Sequence, residues 1–594
     1  MIATLRQILV KLYNSLKLQK NFKVFITFAI TTWIAHFFYF RDFGLYEDDY
    51  VFISDAMGEN ASYLLERLQY FILWPQGRPV GFYLASLFSF VGYKIGGLAF
   101  LYLIGFVIAT VNSYLFYKIL KRTGLNILAL MGGLSFCLFP ADTTKSFLTH
   151  AFILQTSLTF LLVATIYYLS GKKHISYIIS LGSLLSYESA FIVFFGIPLL
   201  KNKWNKKMLI DMIKHTLISS FILVFVAFIR TLTGESRVLK ANSEWFLIPG
   251  KIFYSISIGS STSMSLFFKT PLYSIIFEWN KTTWIVFFIT IVFFTKVFWD
   301  YRFYYEKEHS NYSLVRQNNI FYINKDYRKK VFYLKTLKIL FTGLVLLCLS
   351  YPLSFSDPHY PPTTEYGRFT SEHLAATFGG SIIFASLSSL LFYITKKGGK
   401  KKYIIILACY LSVIVGYHFT IQRDFKKSWK NQREFWTQVI SACPDIDKRT
   451  VVLVVNSQLP ETKYILTHSW ADPIVLEQIY HLPNKRNPVD FAENPWDEYA
   501  RPALFLIDKY WKKELINGEE IWKVTNLTWF YLGVGNLAES KVIVLEMDNN
   551  ELTRIDDNVT QSLEKWEWQN KKYYLGNTLK KREFFKYLID ENKL

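Results

Sequence analysis

Hydrophobic residues occur along this chain in long blocks that are separated by short polar segments. The first block, from Phe22 to Phe40, contains one charged residue, Lys23, and similar blocks follow up to about Thr420. An α-helix needs about 20 apolar residues to cross a hydrocarbon layer about 30 Å thick. The pattern therefore predicts a mostly α, polytopic transmembrane helix bundle of about eleven spans.

Basic residues concentrate in alternate loops between these blocks. Since loops rich in Lys and Arg stay on the cytoplasmic side, the loops between them are predicted to lie outside. The apolar stretch from Pro79 to Gly97 is short and interrupted by glycines. It is predicted to be an outer-leaflet or re-entrant helix, which lipid tolerates only where protein covers its ends. The basic segments are the N-terminus, Lys118 to Arg122, Lys172 with Lys173, Lys201 to Lys207, Arg302 to Lys338, and Lys396 to Lys402.

The pattern changes from about Gln422, beyond which no membrane-length apolar block occurs. Two runs, Thr450 to Val455 and Lys541 to Glu546, have the composition of β-strands, and amphipathic stretches between them resemble helices. We therefore expect a transmembrane domain over 1–421, with an external catalytic loop at 41–97. A small external α/β domain is expected over 422–594.

Composition and charge agree with a multi-pass protein of the inner (plasma) membrane. The chain is 51% hydrophobic and only 19% charged, and its formal net charge is +21. The excess of basic residues lies mainly in the predicted cytoplasmic loops, so it requires no nucleic-acid partner. The four cysteines show no CxxC spacing, which gives no sign of a zinc site or a disulfide framework.

Three adjacent carboxylates follow the first apolar block. Glu47, Asp48 and Asp49 stand in Gly-Leu-Tyr-Glu-Asp-Asp-Tyr, in a loop predicted to be external. Because adjacent carboxylates repel one another, such a group is typical of a cation site or of a proton acceptor. A solvated acidic loop is the alternative, and a divalent metal is left open.

Further polar residues fall in loops on the same predicted side. Arg78, in Gly-Arg-Pro, lies at the start of an apolar helix. It is interpreted either as an anchor at the membrane interface or as a guanidinium that binds phosphate. Asp142, Lys145 and His150 share the next external loop, where the first two are expected to pair with each other or to contribute to a site.

Two later segments complete this set. Glu188 lies at a hairpin turn between two short apolar runs, where an acid is costly and therefore marks a candidate site. Arg368 lies in a loop that also carries Asp357, His359, Glu372 and His373. That loop is interpreted as a phosphate-binding segment, with a metal site or a hydrated interhelical loop as alternatives.

The order of these motifs resembles the GT-C fold glycosyltransferases, such as protein O-mannosyltransferases and bacterial relatives that use polyprenyl-phosphate sugars. The resemblance rests on the acidic pair Asp48–Asp49, on Gly-Arg-Pro, on Phe-Pro at 139–140 and on Tyr-Glu-x-Ala at 187–190, and it covers roughly the first third of the chain. Tyr187 stands where the family often has Lys, and Asp142 lacks the family's Arg-x-x-x-x-Asp arrangement. The resemblance implies an enzyme with a polyprenyl-phosphate sugar donor and an essential carboxylate in an external loop.

For such an enzyme we expect Asp48, or alternatively Asp49, to act as the general base toward an acceptor glycan, lipid or protein. Arg78, Arg368 and Lys145 are expected to neutralise the donor phosphate, and a single displacement would invert the anomeric configuration. Glu47, Asp142, His150 and Glu188 are further site candidates. A transporter or flippase of lipid-linked sugars, and an oligosaccharide polymerase or ligase, are the alternative functions.

Overall fold

The computed structural model shows a predominantly helical chain. It describes residues 21–57, 59–74, 77–201, 203–233, 245–311, 325–354, 361–443, 446, 450–455, 462–469, 471–480, 503–506, 511–516, 519–524, 541–548, 551–554 and 585–589.

The helices of these segments are numbered in chain order. They are α1 (Asn21–Asp42), α2 (Asp49–Phe52), α3 (Ala61–Leu73), α4 (Pro79–Lys121), α5 (Asn126–Cys137), α6 (Leu148–Leu169), α7 (Lys173–Leu184), α8 (Glu188–Ile192), α9 (Lys206–Leu232), α10 (Ile248–Ser265), α11 (Lys269–Phe277), α12 (Lys281–Asn311), α13 (Lys325–Cys348), α14 (Ala376–Ile394), α15 (Lys400–Ala442), α16 (Asp472–Ile479) and α17 (Phe585–Leu588). Short 3₁₀ helices include Val193–Leu200, which continues α8, and Arg368–His373.

Eight described helices are long and apolar enough to cross a membrane, judged by length and composition. They are α1, α4, α6, α9, α12, α13, α14 and α15. Two shorter apolar helices, Asn126–Cys137 and Glu188–Leu200, accompany them. The prediction of a mostly α membrane protein is confirmed at this level, whereas the number of about eleven spans stays a prediction.

Several helices begin where the sequence supplies a cap. The side chain of Asn205 accepts a hydrogen bond from the backbone N–H of Met208 at 3.0 Å, at the start of α9. Asn280 accepts from the backbone N–H of Thr283 at 3.0 Å, at the start of α12. Pro79 occupies the first turn of α4, where a missing N–H costs nothing.

Helix α4 is interrupted where the sequence predicts the end of a separate short helix. Gly96 (φ −159°) and Gly97 (φ 64°) leave the helical conformation, and the helix resumes beyond them. A side chain is disfavoured at the positive φ of Gly97. The segment Pro79 to Gly97 therefore ends at a break in the backbone of α4, and its predicted placement as an outer-leaflet or re-entrant helix stays a prediction.

The chain divides into two compact units. Unit 1 comprises Met1–Phe40, Phe71–Leu84 and Tyr102–Arg423, and unit 2 comprises Arg41–Tyr70, Ala85–Leu101 and Asp424–Leu594. The second unit thus includes the loop after α1 as well as the C-terminal region. The predicted boundary between residues 421 and 422 stays a prediction.

Unit 1 is a helix bundle in which small residues let backbones approach closely. A Cβ atom on Gly379 of α14 would lie 2.3 Å from the backbone nitrogen of Leu347 in α13. Gly343 similarly faces the side chain of Ile382. Small residues at helix contacts are typical of membrane bundles, where packing rather than water exclusion drives association.

Unit 2 contains the strands. They are β1 (Thr450–Val455), β2 (Ala503–Leu506), β3 (Trp511–Ile516), β4 (Glu519–Val524), β5 (Lys541–Asp548) and β6 (Glu551–Arg554). One sheet has the order β2-β1-β5-β6, with β1 parallel to both β2 and β5, and β5 antiparallel to β6; β3 and β4 form an antiparallel pair.

The two strands predicted from sequence are both present as β1 and β5. Their register pairs Val451 with Val542. Alternate residues of each strand, Val452 with Val454 and Ile543 with Leu545, are fully buried. This period of two places one face of the sheet in the core of unit 2.

Candidate functional site

The acidic turn of unit 2, Glu47 to Asp49, precedes α2. Asp49 is fully buried, and its Oδ2 accepts a hydrogen bond from the backbone N–H of Tyr46 at 3.2 Å. Glu47 is 2% exposed, and its Oε1 accepts from the backbone N–H of Leu466 at 3.2 Å. Asp48 is partly exposed. Two of the three predicted carboxylates therefore bind backbone groups, and Asp48 is the most accessible of the three.

The backbone of this turn is strained. Glu47 has φ 41°, and it is the one non-glycine residue with positive φ in the part of the chain that the structure describes. This conformation is energetically unfavourable for a residue that has a Cβ atom. The bond from Leu466 to the Glu47 carboxylate helps to hold it there.

Two tyrosines fasten the same turn to helix α15. The hydroxyl of Tyr46 donates to the carbonyl oxygen of Phe425 at 2.9 Å, and the hydroxyl of Tyr50 donates to Oε1 of Gln432 at 2.7 Å. Burial raises the pKa of both phenols well above the ordinary value, so both remain neutral donors. A Cβ atom on Gly44 would overlap the ring of Trp429, 1.8 Å from its nearest atom, so only glycine fits there.

A histidine–aspartate pair in unit 2 was not predicted from the sequence. Nδ1 of His468 lies 3.1 Å from Oδ2 of Asp472, the first residue of α16, and both residues are buried. Within the described segments, Nε2 of His468 has no hydrogen-bond partner. The ring packs on Phe435 with 4.2 Å between centroids. The spacing of four residues between His and Asp in His-Ser-Trp-Ala-Asp was the sequence signal that could have predicted this pair.

The arginine–glutamate cluster of unit 1 joins Arg78, Glu188 and Arg230. Nε and Nη2 of Arg78 donate to the two oxygens of Glu188 at 2.9 and 2.7 Å, which is a bidentate pair. Nη2 of Arg230 donates to the carbonyl oxygen of Gly77 at 3.0 Å and lies 3.4 Å from Oε2 of Glu188. The structure thus brings together two residues that the sequence analysis had placed in separate groups.

Three chain segments place these side chains. Arg78 directly precedes α4, Glu188 is the first residue of α8, and Arg230 lies in the last turn of α9. The Arg78 guanidinium also lies 4.7 Å from the ring centroid of Tyr187, the position where a lysine is often found in the resembling family. An aromatic face adds a cation–π contact to the ion pair.

Among the described residues, the guanidiniums of the cluster outnumber its carboxylate. Two guanidiniums share one carboxylate, and the side chains of Arg78, Arg230 and Glu188 are 14%, 9% and 15% exposed. Nε of Arg230 is buried and has no hydrogen-bond partner among the described residues. Such a site suits an anion, because arginine binds phosphate and carboxylate oxygens in a fixed planar geometry.

Gly77 makes room for this arrangement. It has φ +61°, and an added Cβ would lie 2.4 Å from Cγ of Arg230. Neither the role of Gly77 nor that of Arg230 was predicted. The available signal for Arg230 was a single basic residue at the end of the apolar run of α9.

Asp142 and Lys145 lie in a buried loop between α5 and α6. Nζ of Lys145 donates to the carbonyl oxygens of Phe136 and Cys137 at 2.9 and 2.6 Å, at the C-terminus of α5. Oδ1 of Asp142 accepts from the backbone N–H and the hydroxyl of Thr144 at 2.9 and 2.7 Å. Burial raises the pKa of Asp142 and lowers that of Lys145, and the attraction between them opposes both shifts.

Two histidines join Lys145 around the end of α5. Nε2 of His36 lies 3.0 Å from the carbonyl oxygen of Cys137, and Nε2 of His418 lies 3.3 Å from that of Leu138. The imidazole rings are 4.4 Å apart. Lys145 and His36 also line a small cavity with Thr32, Ser113, Cys137 and Gln155. Positive groups at a helix C-terminus are stabilising, so the structure gives Lys145 a structural function as well.

Arg368 begins a 3₁₀ helix in unit 1, and this helix contacts the loop that carries Asp142. The hydroxyls of Thr143 and Thr370 are 2.8 Å apart, and Arg368 is partly exposed with its guanidinium 5.1 Å from the ring centroid of Phe369. The charge of Arg368 acts on His150, which is buried. Nδ1 of His150 has no hydrogen-bond partner within the described part of the chain.

The predicted residues thus fall into four groups. Arg78 and Glu188 lie in one cluster, and Asp142 lies with Lys145. Arg368 and His150 interact in the same unit, and Glu47, Asp48 and Asp49 belong to unit 2. Asp357 and His359 lie outside the described residues. Among the described residues, no group of three or more His, Cys, Asp or Glu side chains is arranged to hold a metal ion.

Comparison of the chain with protein-family models, with curated proteins and with solved structures finds no match.

Proposed function

We propose that the chain is a membrane glycosyltransferase, which transfers a sugar from a polyprenyl-phosphate donor to an acceptor on the outer face of the membrane. The observation that carries this proposal is the arginine–glutamate cluster at the head of an apolar helix. Among the described residues, two guanidiniums share one carboxylate in this cluster, and the three side chains are mostly shielded from water. A lipid-linked phosphate is an anion that reaches such a position from the bilayer.

In the proposed reaction, the acceptor hydroxyl attacks the anomeric carbon, and the bond from that carbon to the phosphate oxygen breaks. A carboxylate takes the hydroxyl proton, and the departing phosphate keeps the electron pair. We assign the base to Asp48, the most accessible carboxylate of the acidic turn, with Asp49 as the alternative. Arg78 and Arg230 of the cluster are the proposed phosphate ligands, and phosphate binding by Arg368, which lies in a separate group of unit 1, stays a prediction.

The finer details of the prediction belong to this proposal. They are about eleven spans, a GT-C-like architecture, the outer location of the catalytic loops and of the C-terminal region, and inversion at the anomeric carbon. Product stereochemistry, determined by NMR, tests the last of these. A retained configuration contradicts the single displacement.

The test of function is donor turnover by the full-length protein in proteoliposomes, with a panel of polyprenyl-phosphate sugars. Asp48→Asn is expected to lower turnover by about 100-fold or more, the usual effect of losing a general base. Asp42→Asn is the matched control, because Asp42 is 46% exposed and pairs with Lys426 at 2.6 Å. Unchanged turnover in Asp48→Asn would show that the base is assigned wrongly.

One observation favours a different function, transport of a lipid-linked sugar. Asp142, Lys145, His36 and His418 form a buried ionisable cluster in unit 1. Ionisable residues inside a membrane bundle are typical of ion and substrate pathways. If no donor is consumed by the wild-type protein, while a fluorescent lipid-linked sugar crosses the proteoliposome bilayer, the transport function is the correct one.

A further inference from the structure

A second group of charges in unit 1 lies outside the proposed site. We call it the lysine cluster, and it consists of Lys173, Lys201, Lys338 and Asp211. Nζ of Lys173 donates to Oδ1 of Asp211 at 2.9 Å, and Nζ of Lys201 donates to Oδ2 at 2.8 Å. One carboxylate therefore holds two ammonium groups side by side.

A third ammonium group joins them through the backbone. Nζ of Lys338, in α13, donates to the carbonyl oxygen of Lys201 at 2.6 Å. Among the described residues, the cluster thus contains three ammonium groups and one carboxylate, at the meeting point of four chain segments. The side chains of Lys173, Lys201 and Asp211 are 36%, 25% and 22% exposed. Water therefore reaches these charges but screens them only in part.

The surface beside the cluster is apolar and exposed. Lys338 lies 4.8 Å from the ring centroid of Trp204, which is 42% exposed. The Trp204 ring packs against Phe341, one turn after Lys338 in α13, and Phe341 and Leu337 are 52% and 51% exposed. A tryptophan between lysines and an exposed apolar helix face is typical of the boundary between lipid headgroups and acyl chains.

From this juxtaposition we propose that the lysine cluster binds the headgroup of an anionic phospholipid, whose acyl chains lie along the Trp204, Leu337 and Phe341 surface. A phosphodiester supplies anionic oxygens that can accept from the three ammonium groups, and basic pockets between transmembrane helices recognise such headgroups. The predicted side of the membrane agrees, because Lys172 with Lys173, and Lys201 to Lys207, fall in loops expected to be cytoplasmic. The cytoplasmic leaflet is the one with a negative surface potential. This proposal does not depend on glycosyl transfer.

The apolar surface distinguishes a lipid from a free anion. Inorganic phosphate uses the ammonium groups alone, whereas a phospholipid gains burial of its chains on the same protein surface. Lipid binding is therefore expected to be stronger than phosphate binding, and to weaken only in part as salt is raised.

The experiment measures lipid retention by the purified full-length protein. Native mass spectrometry in a neutral detergent compares phosphatidylglycerol with phosphatidylcholine of the same chains, and inorganic phosphate serves as the competitor. The wild type is expected to prefer phosphatidylglycerol. The double substitution Lys173→Gln with Lys338→Gln is expected to weaken that binding at least about tenfold, from the loss of two charges near the surface.

Two further variants keep the test decisive. Lys401→Gln is the matched control, because Lys401 lies 5.5 Å from the ring centroid of Trp299 and thus repeats the lysine–tryptophan contact elsewhere. Its binding is expected to match that of the wild type. Asp211→Asn removes the acid and is expected to strengthen phosphatidylglycerol binding. Unchanged binding in the double variant, weaker binding in Asp211→Asn, or displacement of the lipid by equimolar phosphate overturns the proposal.

Discussion

The acidic turn of unit 2 and the arginine–glutamate cluster of unit 1 use buried carboxylates in opposite ways. In the turn, Glu47 and Asp49 accept hydrogen bonds from backbone N–H groups, and Asp48 keeps part of its surface exposed. In the cluster, Glu188 receives a bidentate pair from Arg78 and a contact from Arg230. Carboxylates that look alike in sequence therefore stabilise a loop in one unit and balance charge in the other.

The difference decides what each carboxylate does when it is changed. A backbone N–H that loses its acceptor is left with an unsatisfied donor, at a cost of about 1–3 kcal/mol. A buried guanidinium that loses its carboxylate is left as an uncompensated charge, which costs more. The predictions below test this difference, from the largest expected effect to the smallest.

Glu188→Gln is expected to be the most destabilising change. It leaves two mostly buried guanidiniums without their counter-charge, so the free energy of unfolding should fall by about 3–5 kcal/mol. Unfolding of the detergent-solubilised protein in denaturant measures this. Glu365→Gln is the control, because Glu365 pairs with Lys269, which is 56% exposed, and exposed pairs contribute about 1 kcal/mol or less. Equal effects of the two substitutions would contradict the charge-balancing function of Glu188.

Acidification is expected to destabilise unit 1 through His373. Its Nδ1 lies 2.7 Å from the hydroxyl of Tyr351, its Nε2 lies 2.8 Å from the carbonyl oxygen of Thr364, and burial lowers its pKa from 6.5 to about 4. The unfolded chain then binds the proton more readily, so this contribution to stability is full above pH 6.5 and is lost as the pH falls toward 4. The loss is about 3 kcal/mol at most, at about 1.4 kcal/mol per pKa unit.

Melting temperatures between pH 7.5 and 4.5 test this. His373→Gln should show a smaller fall than the wild type over that range. Identical slopes would show that other groups cause the pH dependence.

Within the acidic turn, two adjacent aspartates are expected to respond differently. Asp49→Asn should lower the free energy of unfolding by about 1–3 kcal/mol, because the buried carboxylate accepts from the N–H of Tyr46. Asp48→Asn should change it by about 0.5 kcal/mol or less, as is usual for accessible positions. Thermal unfolding of both variants measures the difference. A larger loss of stability in Asp48→Asn would mean that Asp48 holds the turn, which would weaken its assignment as the base.

The last comparison concerns the expected difference between two glycine variants, which separates the cost of backbone strain from the cost of crowding in the cluster. Gly77→Ala and Gly171→Ala both place a Cβ at positive φ, +61° and +83° respectively. The added Cβ at Gly77 would clash with the side chain of Arg230, whereas nothing lies within 4 Å of the added atom at Gly171. Each change costs about 1–2 kcal/mol for the backbone, and Gly77→Ala should cost roughly 1 kcal/mol more for the crowding. Equal melting temperatures would show that Arg230 moves aside freely.

Much of the helical framework followed from local patterns. The apolar blocks predicted membrane-length helices such as α1 and α6, because hydrophobic length is a property of consecutive residues. The glycines between Pro79 and Gly97 marked an interrupted segment, but only the structure showed that the break falls at Gly96 and Gly97. The strands β1 and β5 were likewise visible as short runs rich in β-branched residues.

The candidate sites were predicted less well from the sequence. Arg78 and Glu188 were each singled out, yet their pairing across 110 positions was not predicted. Arg230 was missed because it is a single basic residue at the end of an apolar run that predicts a transmembrane helix. Lys145 was expected to bind phosphate, whereas the structure places its ammonium group on the carbonyl oxygens of Phe136 and Cys137.

The amino-acid sequence by itself determined which segments are apolar enough for a membrane, where two of the strands form, and which polar residues are costly to bury. The tertiary structure alone decided that Glu188 is shared by two arginines, that Asp49 holds a turn, and that Lys145 caps α5. The physical reason is distance. Hydropathy is a property of consecutive residues, whereas ion pairs and hydrogen bonds require two groups that are far apart in the chain to lie within about 3–4 Å of each other.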